Sequence, residues 1–191
     1  MGCERSERIQ EATYLGQQLN MSAHFGKFMD LQGGEYGLAI LSSLPILEVR
    51  RIALPRGKEP RIALEIVVNL GGGHRLSFVC LHLDWINSAK FRLPQARALI
   101  HALRHRDHPV ILAGDFNARP NSPTIKEFEK RYRSIPKSGS GKTYPSPKPT
   151  KEIDYVMTRG LTVPASTRIT VVAEKMASDH RPLIVEIPIN F

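Results

Sequence analysis

The sequence predicts an α/β fold in which two packed, mainly antiparallel β-sheets are flanked by helices, a four-layer αββα sandwich. Several short runs rich in Val, Ile and Leu alternate with helix-like segments, and two of these runs are joined across three consecutive glycines at 71–73. No internal repeat or linker interrupts residues 1–191, so one domain is expected. A length of 191 residues with 41% hydrophobic content suits a folded domain with a sizeable core and excludes a disordered chain.

Three helices are predicted from apolar residues at helical spacing. They cover residues 6–20, residues 92–106 and a short segment that starts near Ser122. The residues expected to face the core are, in chain order, Ile9, Ala12, Leu15, Leu19, Ala96, Leu99, Ile100, Leu103, Ile125 and Phe128.

The strands are predicted from runs of β-branched and other bulky apolar residues bounded by Gly and Pro. The clearest is the hairpin within residues 61–84, whose two runs meet at the glycine turn. Residues 134–151 are rich in Pro, Gly, Ser and Lys, which predicts a long loop. The remaining predicted strands are 36–42, 47–54, 110–114, 153–158, 168–173 and 182–189.

The charge of the chain favours an anionic partner. The formal net charge is +9, and residues 126–151 alone hold eight basic residues against two acidic ones. A second basic cluster contains Arg50, Arg51, Arg56, Lys58 and Arg61 against one glutamate. Basic loops attract phosphorylated substrates or nucleic acid, although a merely solvated surface fits the same charges because aromatic residues do not alternate regularly with the basic ones.

The segment VILAGDFNARP, residues 110–120, suggests a functional site at the end of a strand. The apolar run predicts a central strand, and in an extended chain Asp115 and Asn117 point to the same side while Phe116 points to the other. A carboxylate and an amide delivered together can form a site. Asx residues also commonly end strands and start turns, and this stretch alone leaves both interpretations open.

Other polar residues follow the same pattern. His82, Asp154 and the pair Asp179 and His180 also lie beside apolar strand residues, where an unpaired polar group would be costly. Each has a structural explanation when taken alone. Two histidines and three aspartates at four strand ends together favour one shared site.

The motifs CLHLD, GDFNARP, IDYVM and SDHRPLIVEI, in this order, resemble the endonuclease/exonuclease/phosphatase superfamily, also called the DNase I-like superfamily. Its members are metal-dependent hydrolases that cleave DNA, RNA, sphingomyelin or inositol phosphates. The resemblance extends from about residue 5 to the C-terminus and implies a phosphate-ester substrate, which includes nucleic acid, and Mg²⁺ or Mn²⁺ as cofactor.

The resemblance also implies roles for the matching residues. Asp115 corresponds to the carboxylate that activates the attacking water, and Asn117 to the amide that positions the phosphoryl group. His82 and His180 correspond to the two histidines that stabilise charge on phosphate oxygens. The resemblance implies that the Asp154 carboxylate orients His180. It also implies that Asp179 and Asp115 hold the metal.

The sequence departs from the family pattern at its start. Family members begin with a strand ending in Asn, a helix and a strand ending in a metal-binding Glu, and no such segment precedes the helix at 6–20. The sequence thus predicts a domain that is incomplete at its N-terminus, with an exposed sheet edge and weak metal binding. Glu11 is not a substitute, because it lies within the helical pattern and is expected to be solvated.

The leading functional hypothesis is a metal-dependent phosphoesterase that uses activated-water attack. The alternative is a non-catalytic module that binds phosphate or nucleic acid, and a Ser/His/Asp hydrolase is disfavoured because GxSxG is absent. The sequence contains no apolar run long enough to span a membrane and no signal peptide at its start. A cytoplasmic monomer is expected for this sequence, although a preceding segment could carry a signal.

Overall fold

The computed structural model describes residues 1–86 and 88–189 of the chain. Its elements are, in chain order, α1 Glu11–Leu19, β1 Ser22–Leu31, β2 Gly34–Ser42, β3 Ile46–Ala53, β4 Ile62–Gly71, β5 His74–His82, α2 Ala89–Ala102, β6 Val110–Asp115, α3 Pro123–Glu129, β7 Arg133–Ser134, β8 Asp154–Arg159, β9 Thr170–Val171 and β10 Leu183–Ile184.

A six-stranded sheet with the order β3-β4-β5-β6-β8-β7 forms the centre of the fold. Within the described ranges its pairs are antiparallel except for β5 and β6, which run parallel. Helices α2 and α3 cover one face through a core that includes Leu99, Phe116 and Phe128. The other face carries the two-stranded ribbons β1–β2 and β9–β10, and α1 packs against β1 and β2. This arrangement confirms the predicted α/β class with sheets flanked by helices.

The second β-layer differs from the prediction because it is divided into two separate ribbons. Strands β9 and β10 contain only two residues each, whereas longer strands were predicted at 168–173 and 182–189. Pro182 and Pro188 have no amide hydrogen and limit ladder pairing around β10. The apolar side chains of this segment nevertheless pack on the central sheet, and a groove of about 970 Å³ lies beside them, lined in part by Leu41 and Phe78.

The predicted helix at 6–20 is wrong in its bounds and in its buried face. Residues 4–6 form a separate 3₁₀ turn, and α1 begins at Glu11. Leu15 and Leu19 are 47% and 56% exposed, while Ala12 and Gly16 are buried. A methyl group on Gly16 would lie 2.8 Å from the Cβ of Ala23. The contact with β1 is therefore made by the helix face that carries the small residues Ala12 and Gly16.

The predictions around the central strand agree better with the structure. The hairpin turns at Gly71, Gly72 and Gly73, all with positive φ. Helix α3 begins after Ser122, whose side chain accepts a hydrogen bond from the Ile125 amide. Helix α2 begins three residues before the predicted start because Ser88 caps it, and β1 was not predicted. No helix in the described part of the chain is long and apolar enough to cross a membrane.

Candidate functional site

Three strand ends bring polar side chains together at one edge of the central sheet. In the parallel pair β5–β6, His82 lies opposite Asp115, and in the antiparallel pair β6–β8, Asp115 lies opposite Asp154. Directly opposed residues on neighbouring strands present their side chains on the same face. The strand register therefore places one histidine and two aspartates in a row.

Gly114 allows β6 and β5 to approach closely just before this row. Its φ is 144°, a conformation that L side chains rarely adopt, and a Cβ there would lie 2.0 Å from the Leu81 carbonyl oxygen. A larger residue would push the two strands apart. The glycine that ends the apolar run is thus required by the backbone geometry that aligns His82 with Asp115.

Asp115 is the central carboxylate of the site. Its Oδ2 lies 3.4 Å from His82 Nε2 and 4.0 Å from His180 Nε2, and its side chain is 14% exposed. Its Oδ1 accepts a hydrogen bond of 2.7 Å from the Asn117 amide. Burial, with the nearby charge of Asp154 in addition, raises the pKa of Asp115 to about 7. A carboxylate with this pKa can exchange protons near neutral pH.

The turn after β6 satisfies both interpretations of the sequence. Asn117 has a φ of 47° in the left-handed region, and its backbone bond to Asp115 is the Asx-turn contact. Its side-chain amide also donates a hydrogen bond of 3.0 Å to the Leu83 carbonyl and lines the same cavity as Asp115. Phe116 points the other way, as predicted, and packs fully buried between Phe128 and Tyr155.

Arg61 holds His82 in one orientation. Its guanidinium lies 3.1 Å from His82 Nδ1, 2.8 Å from the Glu59 carboxylate and 4.9 Å from the centre of the Phe28 ring. A guanidinium has no acceptor atom, so Nδ1 must accept and the proton of the neutral ring must be on Nε2, which faces Asp115. Burial, with the charges of Arg61 and His180 in addition, lowers the pKa of His82 to about 3.

His180 comes from the loop before β10 and is held by Asp154. The distance from His180 Nδ1 to Asp154 Oδ2 is 2.9 Å, and the Thr143 hydroxyl donates to the same oxygen. Burial acts to lower the pKa of His180, but the Asp154 hydrogen bond and the charges of Asp154 and Asp115 outweigh it and raise that pKa. Its ring also packs on Tyr144, with centroids 4.8 Å apart.

The carboxylates offer a site for a hard cation. Ligand atoms of Asp115, Asp154 and His180 lie within 4.8 Å of one another. Among residues 1–86 and 88–189, no other group of three such side chains is close enough to hold a metal ion. Asp179, the other predicted metal residue, lies outside this group. Its side chain is exposed on the rim of the same cavity, where the Ser178 hydroxyl lies 3.4 Å from its carboxylate.

A cavity of about 780 Å³ opens over the polar row. All six predicted site residues line it, together with others that sequence reasoning missed. Among these, Arg92 is buried and donates to the carbonyls of Asp84 and Ile86. Arg61 does not line this cavity. It was predicted only as a member of a basic cluster, yet it is 3% exposed and contacts His82, a contact that its charge alone does not indicate. The other additional lining residues include Arg5, Tyr36, Trp85, Arg119, Tyr144 and Lys151.

The chain is similar to proteins of one family. Residues 8–180 match the model of the Endonuclease/Exonuclease/phosphatase family. A curated relative, the UPF0294 protein of Klebsiella pneumoniae, is 32% identical over 133 residues. That match covers 66% of this chain and 47% of the relative, so it spans about half of the relative's length.

Solved structures share the fold. A functionally unknown conserved protein from Enterococcus faecalis superposes with a TM-score of 0.78 at 22% identity, covering 94% of this chain and 81% of that chain. The human Nocturnin catalytic domain with bound sulfate gives 0.76 at 18% identity, with 95% and 77% covered. The mannosyl-6-phosphatase Bt3783 of Bacteroides thetaiotaomicron gives 0.69 at 17% identity, with 93% and 81% covered.

Proposed function

The chain belongs to the endonuclease/exonuclease/phosphatase family, and from this premise we propose that it is a divalent-metal-dependent phosphoesterase that hydrolyses a phosphodiester or phosphomonoester by attack of an activated water. One observation carries the proposal: a single carboxylate oxygen, Asp115 Oδ2, lies within 4.0 Å of the Nε2 atoms of two histidines. A proton acceptor beside two hydrogen-bond donors suits hydrolysis of a phosphate ester, because it can activate a water and stabilise the charge that develops on the phosphoryl oxygens.

Asp115 is the base in this proposal. A pKa of about 7 leaves a substantial fraction of the carboxyl ionised at neutral pH, and that form still has enough basicity to accept a proton from water. Asn117 Nδ2 carries a second hydrogen besides the one given to Leu83, and this hydrogen is available to position a phosphoryl oxygen.

The two histidines stabilise negative charge in different states. His82 is neutral at pH 7 because its pKa is about 3, so it donates a hydrogen bond from Nε2 and does not transfer a proton. The raised pKa of His180 favours its imidazolium form, in which Nε2 carries a hydrogen to donate while Asp154 fixes the ring. Their different partners, Arg61 and Asp154, determine these states.

A divalent cation fits the residues present. Asp115 and the exposed Asp179 would supply carboxylate oxygens of the kind that Mg²⁺ or Mn²⁺ prefers, and Asp154, whose Oδ2 already accepts two hydrogen bonds, would add its Oδ1. When bound, such an ion polarises the phosphoryl oxygen and lowers the pKa of water.

The second candidate function is binding of a phosphate group or nucleic acid without catalysis. The positive side chains that line the cavity, which include Arg92, Arg119 and Lys151, favour it equally. These residues also suit a substrate site, so they do not distinguish binding from hydrolysis. The two hypotheses differ in whether Asp115 catalyses a reaction.

The test is a metal-dependent hydrolysis assay against plasmid DNA, RNA, sphingomyelin, an inositol phosphate and a generic phosphate ester. We expect hydrolysis of at least one substrate with Mg²⁺ or Mn²⁺, and loss of it with EDTA or with Asp115→Asn. Activity that persists in the folded Asp115→Asn variant would refute the role of this carboxylate. Binding of these ligands without turnover in any metal would favour the second function.

A further inference from the structure

A second basic cavity lies between helices α2 and α3, away from the polar row. We call it the α2–α3 groove. It has a volume of about 510 Å³ and is lined by Arg97, His101, Arg104, Arg106, Arg131 and Arg159, with Glu127 as its acidic residue. The volume falls within the range of small-ligand sites.

The groove and the candidate active site lie at opposite ends of the same strands. Asp154 is opposite Asp115 at one end of the β6–β8 pair, and Arg159 is opposite Val110 at the other. Five residues at the rise of an extended chain separate these ends by roughly 17 Å. A phosphate group held in the groove is therefore not the one positioned over Asp115.

Two of the arginines are already neutralised by carboxylates. Arg106 lies 2.9 Å from Glu65 and 3.0 Å from Glu48, and Arg97 lies 3.6 Å from Glu127. Glu127 is shared, because Lys130 also lies 2.9 Å from it. These ion pairs account for the charges of Arg97 and Arg106 without a bound ligand.

The other three arginines have no carboxylate partner in the described part of the chain. Arg104 donates to the His101 carbonyl at 2.7 Å, and Arg159 donates to the Leu103 carbonyl at 2.9 Å. The side chain of Arg131 is exposed and makes no hydrogen bond or ion pair with residues 1–86 or 88–189. The anchored guanidinium groups keep most of their five N–H donors free.

The negative ends of α2 and α3 offset part of this charge. A helix C-terminus carries roughly half a negative charge, which favours cations in the last turn. Two such half charges do not neutralise three guanidinium groups that face one cavity. An anionic ligand would supply the missing charge, and planar guanidinium groups bind phosphate oxygens in bidentate pairs.

We infer that the α2–α3 groove is a second phosphate-binding site, in which Arg104, Arg131 and Arg159 hold the phosphate group of a ligand. The shared chemistry is a phosphate oxyanion, whether free or carried by a polynucleotide. The site is independent of the hydrolytic reaction, so its test does not require activity.

The experiment is a titration of the metal-free 191-residue chain with inorganic diphosphate in EDTA, followed by the shifts of backbone amide NMR signals. We expect saturable shifts in residues 97–104 and 127–131. Arg104→Glu/Arg131→Glu should weaken this binding at least about tenfold, because two charge-assisted contacts become repulsive. The control Arg56→Glu/Arg168→Glu makes the same change in charge at exposed positions elsewhere and should stay within about twofold of wild type.

A second variant separates recognition from folding. Arg104→Lys/Arg131→Lys keeps the charge and the fold but removes the bidentate geometry, and it should bind diphosphate more weakly than wild type and more tightly than the Glu variant. Competition with a short 5′-phosphorylated oligonucleotide identifies the source. Displacement of diphosphate from the groove would identify the ligand as a polynucleotide phosphate. Absence of displacement would identify it as a free phosphate compound. Shifts confined to residues around Asp115, or equal weakening by the control, would overturn the inference.

Discussion

Replacing Asp115 with Asn should stabilise the protein at high pH while removing its proposed activity. The folded state raises the pKa of Asp115 from 3.8 to about 7, so it binds this proton more tightly than the unfolded chain does. Stability therefore falls as the pH rises from about 4 through 7, because an ionised carboxylate must be buried beside Asp154. Asparagine has nearly the same shape and never ionises, so the variant avoids this loss.

The size of the effect follows from the pKa difference. About three pKa units at 1.36 kcal/mol each give an upper limit of about 4 kcal/mol at pH 8. Asparagine can still accept the Asn117 amide with its oxygen, but its NH₂ group then faces His82 Nε2–H, two donors near one another. Such a clash reduces the stabilisation, and we expect Asp115→Asn to raise the free energy of unfolding at pH 8 by about 2–4 kcal/mol.

The assay is urea unfolding of both proteins in EDTA at several pH values between 4 and 8. The difference in the free energy of unfolding should be small at pH 4 and increase steadily to pH 8. Asp179→Asn is the matched control, since its side chain is exposed, and it should show no such increase. A difference between Asp115→Asn and wild type that does not change with pH would refute the burial argument.

Three further predictions concern the groups around Asp115. Arg61→Leu should lower kcat at least about tenfold, since His82 loses the contact that fixes its ring, and Arg61→Lys should recover part of it; full activity in the folded Leu variant would contradict this. Gly114→Ala should reduce stability by about 3 kcal/mol or more in thermal unfolding, and an unchanged Tm would show that the strands can separate without cost. Mg²⁺ should bind weakly in calorimetry, and more tightly at pH 8 than at pH 6 because it competes with the Asp115 proton; tight binding at pH 6 would indicate further ligands.

The sequence predicted best the features that depend on local pattern. The apolar run before Asp115 predicts β6, and the glycine turn predicts the β4–β5 hairpin. Each feature depends only on residues that are neighbours in the sequence, and each is present in the structure. The side of α1 that is buried depends instead on the strand it packs against, and there Leu15 is exposed while Gly16 is covered. Strand β1 was missed because its polar and charged residues obscure the alternation that marks a strand.

The same distinction applies to the site. The proximity of His82, Asp115 and Asp154 could be predicted because each ends or begins an apolar run, and strand register then brings them together. Arg61 could not be predicted, because its partner His82 is 21 residues away and the contact depends on the pairing of β4 with β5. The basic groove between α2 and α3 depends likewise on how two helices pack.

The glycine turn between β4 and β5 offers a practical use for the long hairpin. A Cβ at Gly71 or Gly73 would meet nothing within 4 Å, so the loop projects freely from the protein. The turn lies at the far end of β5 from His82, and eight residues of extended chain place it roughly 27 Å from the polar row. A short peptide tag inserted between these glycines would remain attached to a rigid ladder while leaving the other end of the strands untouched, which makes this turn a suitable attachment point for immobilising the protein or for a fluorescent reporter.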